Sequence, residues 1–352
     1  MNCYRPTFVL PKQPIYLTKN METHRVLKHL QNGQDLILTD NIQTGLHILK
    51  YLQDQEQKQQ ATYQERKASH KQFLRYAKHI LVSIKNNHVV LQKKTPLPQI
   101  FELLYHDIPE QIFLSLLDFQ HLHQDSQRFE EGIFYSVLGH KIHPFFGVYA
   151  PTRTSHLELF ATWLQKYEGS MECTYDIGAG SGILSFLLAK RGFQKIIATD
   201  NNPNAIISIQ GDIDRIKQER LYAQNISCFY GDLFAEQRET ADVIVCNPPW
   251  MLGEITNTID AAMFFEDGFF ERFFEQAHIL LKKEGRIVLI FSNVIDLVTP
   301  DVGHPIQKEL EGQRFFLVQK MQRKVQATKE NGHRKRRRTK EKVEVWELQK
   351  RT

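Results

Sequence analysis

Cysteine is scarce in this chain. Four among 352 residues, Cys3, Cys173, Cys228 and Cys246, stand far apart, with no CxxC pair and no paired histidine spacing. That pattern argues against a disulfide framework and a structural zinc, so no metal is expected and a reducing cytoplasm is the simplest home. Long hydrophobic runs are missing too. The longest, Ile183–Ala189 and Ile287–Phe291, fall far short of the roughly 20 apolar residues that cross a bilayer, so no membrane partner is expected. Residues 1–17 lack a charged stretch followed by an apolar core, and a signal peptide is not expected. What the chain does have is 41% hydrophobic and 24% charged residues, which fits a folded soluble protein. At roughly 150 residues per domain, its length suggests two domains.

A general excess of one charge is also lacking. The net charge is +5, but residues 329–342 hold 8 basic and 2 acidic side chains, and the remainder carries 37 basic against 38 acidic. The basic character is therefore one local cluster around Arg334, Lys335, Arg336, Arg337 and Arg338. Such a cluster bears on partners more than a uniform excess would.

Residues 1–145 carry no motif that reads as chemistry and are predicted to form a mostly helical domain. Apolar residues recur at helical spacing over 42–82, around a stretch with seven glutamines. That spacing predicts one long exposed helix or two with a joint. Residues 97–105 and 109–121 also read as helices, and His88–Gln92 as a short strand. From residue 146 to 352 the pattern becomes alternating strands and helices. Strands are predicted at 174–177, 195–199, 226–230, 242–246 and 285–292, followed by a pair at 314–325 and 342–350. Crossover segments between the first five imply an α/β fold with a parallel sheet covered on both faces. The last two read as a hairpin with a basic loop, 326–342, so the final strand should run antiparallel.

Four motifs stand at predicted strand ends. Asp176-Ile-Gly178-Ala-Gly180-Ser-Gly182 follows the first. Glycines there allow a tight turn and close approach of a ligand to the backbone. The G-x-G-x-x-G spacing of a dinucleotide site fails at Ile183, which disfavours an oxidoreductase. An acid at this strand end repels a pyrophosphate and suits a cation such as the sulfonium and ammonium of S-adenosylmethionine. Asp200 closes the second strand, where an acid can accept ribose hydroxyls. Asp232 follows the third, placed for an adenine amino group. Each aspartate alone fits an ordinary loop cap; three at successive strand ends are hard to obtain by accident. Asn247-Pro248-Pro249-Trp250 follows the fourth. Its prolines fix the backbone and leave outward carbonyls, the asparagine adds an acceptor and the tryptophan a flat face. Together they make a receptor for a planar amino group.

With these motifs, residues 146–295 resemble the class I S-adenosylmethionine-dependent methyltransferases, and Asn247–Trp250 resembles the N/D-P-P-aromatic motif of the amino-methyltransferases. Gly147–Leu159 is similar to the segment before the fold in HemK-type glutamine methyltransferases, with polar residues at Thr152–Ser155 in place of the acidic pair. The resemblance implies a Rossmann-like seven-stranded sheet of order 3-2-1-4-5-7-6. It implies S-adenosylmethionine held by Asp176, Gly178, Gly180, Gly182, Asp200 and Asp232. In the expected mechanism, Asn247 and the Pro248 carbonyl accept the two N–H groups of a planar nitrogen, Pro249 stiffens the turn and Trp250 stacks on the planar group. The favoured substrate is an RNA or ribosomal nucleobase, because the basic loop should lie on the cofactor side of the sheet. A protein glutamine amide, as in a translation factor, is the alternative. In either case the N-terminal domain would read the substrate. A non-catalytic cofactor-binding assembly factor is a third possibility. A solvated surface loop and a nuclear localisation signal are the other readings of the basic cluster, and these stay open.

Overall fold

The computed structural model describes residues 3–58, 63–93, 95–218, 222–253, 255, 258–325 and 340–351. The chain separates into two units: residues 5–130, and residues 131–352 together with residues 1–4. The division falls earlier than the expected boundary at 145, because the short hairpin β6 (Ile133–Tyr135) and β7 (His140–Ile142) belongs to the second unit.

The first unit has more helix than strand, yet it is organised around a sheet. Strands β1 (Ile15–Leu17), β2 (Leu36–Leu38) and β3 (Ile80–Lys85) run parallel. β4 (His88–Val89) and β5 (Gln111–Ser115) pair antiparallel to β3. The helices are α1 (Thr23–Gln31), α2 (Ile42–Lys58), α3 (Tyr63–Ala77), α4 (Ile100–Leu104) and α5 (Leu116–Glu131). Two expectations change here. Helical spacing through Phe73, Ala77 and Ile80 continues past the end of α3, and Ile80–Ile84 is instead a buried strand. Residues 109–121 divide into β5 and α5. Ser115 makes that break: its Oγ accepts the Asp118 N–H at 3.0 Å and donates to the Asp118 carboxylate at 2.7 Å, a helix cap.

In the second unit α6 (Ser155–Lys166) leads into β8 (Cys173–Ile177), α7 (Ile183–Arg191), β9 (Lys195–Asp200), α8 (Pro203–Gln218) and β10 (Ile226–Tyr230). β11 (Ala241–Cys246) follows, then β12 (Met251–Leu252), α9 (Thr258–Met263), β13 (Phe264–Phe265), α10 (Phe269–Leu280) and β14 (Leu281–Ser292). α11 (Val294–Val298), α12 (Pro305–Glu311), β15 (Phe315–Lys324) and β16 (Lys342–Lys350) complete it. Between α9 and α10, Phe264–Phe265 pairs with Met251–Leu252, so the phenylalanine-rich stretch is not one continuous helix. The sheet runs β10-β9-β8-β11-β14-β16-β15, and β16 alone runs against the direction of the other six strands.

Period-two patterning explains why both faces are covered. Val243 and Val245 of β11 face one core, with Val288 and Ile290 of β14 and Leu187 and Ile209 of the helices. Ile244 and Cys246 face the other, with Leu289 and Phe291 and with Phe270, Phe273 and Phe274 of α10. Those phenylalanines recur at i, i+3 and i+4, which puts them on one side of a helix. Among the described residues, no helix is long and apolar enough to cross a membrane.

Asp242 ties the starts of the central strands. Its carboxylate accepts the Glu172 and Cys173 N–H groups at 3.1 and 2.9 Å and the Lys282 ammonium at 2.9 Å. Burial alone would push this carboxyl up, but the Cys173 N–H and the Lys282 ammonium outweigh it and hold it below the usual range. Replacement Asp242→Ala strands these donors and should cost roughly 2–3 kcal/mol in urea denaturation at neutral pH. Because the folded carboxyl titrates low, the difference from wild type should persist above the ordinary carboxylate range and shrink as pH falls below it.

Candidate functional site

The C-terminal ends of β8, β9, β10 and β11 open on a cleft of about 530 Å³, within the size range of small-molecule sites. It lies between β8 and β11, where the strand order reverses.

The glycine turn after β8 is tied to the end of β9. Gly178 and Ala179 both donate N–H to the Thr199 carbonyl at 2.9 Å, and Gly180 donates to Asp200 Oδ2 at 2.7 Å. Gly178 has φ +69°, and a Cβ there would meet nothing within 4 Å. Its constraint is the left-handed backbone, and it lines the cleft, as does Gly180. Gly182 is different. A Cβ at its φ of +79° would come within 2.9 Å of Ile209 and 3.0 Å of Phe186. It lets α7 pack on α8 and does not line the cleft.

The three aspartates occupy three environments. Asp176 is fully buried and outside the cleft lining. Ser185 Oγ donates to its Oδ2 at 2.6 Å, while Oδ1 has no hydrogen-bond partner. Burial pushes its carboxyl up to about 7. Asp200 lines the cleft with one N–H on each oxygen, Gly180 on Oδ2 and Asn202 on Oδ1, both at 2.7 Å. Burial raises this carboxyl, and those two donors oppose the rise. Asp232 lines the opposite side, exposed, with Arg272 Nη2 donating at 3.3 Å.

Asn247, Pro248 and Pro249 line the cleft; Trp250 does not. The indole N–H donates to Asn247 Oδ1 at 3.2 Å and to the Ile290 carbonyl at 3.3 Å. His156 stands edge-on to the indole at 5.6 Å. That imidazole is 3% exposed, and burial brings it down to about 4, so it is neutral. The indole expected to stack on the planar group is half-buried and lies outside the cleft lining. Indole N–H is a donor only, so it holds the oxygen end of the Asn247 amide toward itself, and the oxygen keeps a second lone pair.

Several cleft residues carried no functional expectation: Tyr4, Val148, Tyr149, Asn202 and Phe269. Asn202 belongs to Asp200-Asn-Asn202-Pro-Asn204, where four of five side chains can accept hydrogen bonds, and that density is the signal in the sequence that marks it. Phe264 and Phe265 form a strand and Phe270, Phe273 and Phe274 fill the core, leaving Phe269 at the cleft. Arg334, Lys335, Arg336, Arg337 and Arg338 lie outside the described residues. Among the described residues, no group of three or more His, Cys, Asp or Glu side chains could hold a metal ion.

Two carboxylates, Asp200 and Asp232, reach the cleft beside a bare glycine turn, and a third carboxyl, Asp176, is buried outside the lining with one oxygen unpartnered. This donor set fits a nucleoside that carries positive charge. Comparison with known proteins agrees. The family model for the methyltransferase small domain matches residues 147–299. A Methanocaldococcus jannaschii protein, provisionally named a protein N5-glutamine methyltransferase, is 32% identical over 161 residues, 44% of this chain and 76% of that protein. The release factor glutamine methyltransferase of Buchnera aphidicola subsp. Acyrthosiphon pisum is 29% identical over 104 residues, 29% of this chain and 36% of that enzyme. This chain thus spans about a third of the Buchnera enzyme's length. A solved structure of ribosomal protein L11 methylase from Lactobacillus delbrueckii subsp. bulgaricus has 17% identity and a TM-score of 0.40, covering 60% of this chain and 87% of that one.

The raised Asp176 carboxyl has a measurable consequence. A carboxyl that holds its proton more tightly when folded adds stability below its unfolded value and loses it as pH rises through about 7. Between pH 4 and pH 8, ligand-free wild type should therefore lose roughly 2–4 kcal/mol relative to Asp176→Asn, read from urea midpoints. Parallel profiles for the two proteins would refute a buried, proton-holding Asp176.

Proposed function

Because the chain belongs to the class I S-adenosylmethionine-dependent methyltransferases, with a methyltransferase small domain, we propose that it methylates the side-chain amide nitrogen of a glutamine in a protein. The observation that carries this reading is the Asn247–Trp250 turn. Its acceptors line the cleft, while its indole is half-buried outside the cleft lining and donates its N–H to Asn247 Oδ1. A nucleobase draws much of its binding from an aromatic platform; a small amide needs only acceptors for its two N–H groups. The names of the two glutamine methyltransferase relatives point the same way. Family membership sets aside the non-catalytic assembly factor. A second reading, an amino group on an RNA base, is favoured by the basic charge of residues 326–342.

When bound, S-adenosylmethionine supplies a methyl group on a sulfonium, an electrophile that needs no further activation. The protein's task is to hold and orient. Asp200 would accept the ribose hydroxyls and Asp232 the adenine amino group, while the bare turn at Gly178 and Gly180 admits the ligand close to the backbone. Asp176 adds acidity beneath the turn.

On the other side, an amide nitrogen is a weak nucleophile because its lone pair is delocalised. The second lone pair of Asn247 Oδ1 and the Pro248 carbonyl would take its N–H groups. That orients it and favours positive charge growing on nitrogen. Trp250 keeps the Asn247 oxygen available by holding the amide in one orientation. Residues 5–130 would recognise the protein that carries the glutamine.

Incubation with methyl-labelled cofactor and either translation factors or total RNA tests the substrate. Label should enter protein and appear, after digestion, as N-methylglutamine; label in RNA alone would overturn the amide reading. Asn247→Ala should lower transfer at least about 100-fold while leaving affinity for S-adenosylhomocysteine within about twofold. Trp250→Phe should lower transfer about tenfold in wild type. It should have little effect in an Asn247→Asp background, because a carboxylate presents an oxygen either way round.

A further inference from the structure

Tyr4 lies far from the strand motifs in sequence, yet it belongs to the same unit and lines the same cleft. Its backbone is clamped by one side chain. Tyr4 N–H donates to Asn204 Oδ1 at 2.9 Å, and Asn204 Nδ2 donates back to the Tyr4 carbonyl at 2.8 Å. Asn204 is fully buried, and its Nδ2 also donates to the Phe146 carbonyl at 2.7 Å. The Tyr4 ring lies parallel to Phe146, with centroids 6.2 Å apart and planes 8° from each other. A buried amide satisfied by two distant backbone segments is costly to arrange unless those segments must be placed accurately.

The clamp is continuous with the nucleoside end of the site. Asp200 Oδ1 accepts from Asn202 N–H at 2.7 Å, Asn202 Oδ1 accepts from Asn204 N–H at 3.0 Å, and Asn204 Oδ1 accepts from Tyr4. Asn202 Nδ2 also donates to the Gly147 carbonyl at 3.0 Å, which fixes the segment carrying Phe146. Three acceptors at alternate positions thus run from the carboxylate assigned to the ribose to the backbone of an aromatic residue. That residue is still 38% exposed, on the cleft.

We propose that Tyr4 is a cofactor-binding residue, whose ring packs on the adenosine half of the bound cofactor. A flat side chain held by its own backbone loses little freedom on binding, so its contact surface converts efficiently into affinity. The proposal rests on the assignment of Asp200 to the same nucleoside, and the test separates the two.

The test is calorimetry of the full chain with S-adenosylhomocysteine and with methylthioadenosine, which lacks the amino-acid half. Tyr4→Ala should weaken both about tenfold, and Tyr4→Phe should bind both within about twofold of wild type. The melting temperature of ligand-free Tyr4→Ala should stay close to wild type, with a smaller ligand-induced rise; Tyr4→Leu, which keeps apolar bulk, serves if the alanine variant does not fold. Unchanged affinity in Tyr4→Ala beside a clear loss in Asp200→Ala overturns the proposal and leaves the site intact. Loss for S-adenosylhomocysteine but not for methylthioadenosine also overturns it, by moving Tyr4 to the amino-acid end. Unchanged affinity in Asp200→Ala overturns the nucleoside assignment itself, and the proposal with it.

Discussion

The site depends on one carboxylate shared by two backbone segments. Asp200 receives Gly180 N–H on one oxygen and Asn202 N–H on the other. The first bond fixes the glycine turn of β8 against the tip of β9. The second starts the run of side-chain acceptors that fixes the chain before α8. A buried carboxylate is costly without such donors, and burial does raise this one. Each neighbour that satisfies it is thereby held in place. What remains of its acceptor capacity faces the cleft, so the group that organises the site is also a group that can bind in it.

The β11 side follows a different rule. There the backbone is stiffened by Pro248 and Pro249, and the variable part is the orientation of one side-chain amide. Trp250 settles it from behind. Its indole N–H reaches both Asn247 and the Ile290 carbonyl on the neighbouring strand β14. The aromatic residue of the turn thus fixes the orientation of an acceptor at the cleft, and a neutral, buried His156 stands edge-on to its ring.

Much of this was legible in the sequence. The seven strands of the large sheet and the place of each motif follow from apolar periodicity and from glycine, proline and aspartate at strand ends. Those signals are local, and parallel pairing with right-handed crossovers leaves few ways to assemble them. The first unit was harder. Ile80–Ile84 continues the helical spacing of the helix before it, so periodicity alone could not find where α3 stops and β3 begins. The strand appears only because its neighbours, β2 and β5, pair with it. Gly182 shares a motif with Gly178, yet it stands outside the cleft lining, and a Cβ there would collide with Ile209 and Phe186.

By itself, the sequence determined which backbone conformations and which donors and acceptors would stand at the strand tips. Glycine, proline and the acids carry those properties wherever they are placed. Only the tertiary structure decided which of those groups face the cleft and which support it from within. It buried Asp176, set the Trp250 indole N–H on Asn247 and brought Tyr4 to Asn204 across 200 residues of chain. The reason is that facing and burial are set by what packs behind a residue, and those partners are distant in sequence and leave no periodic mark on it.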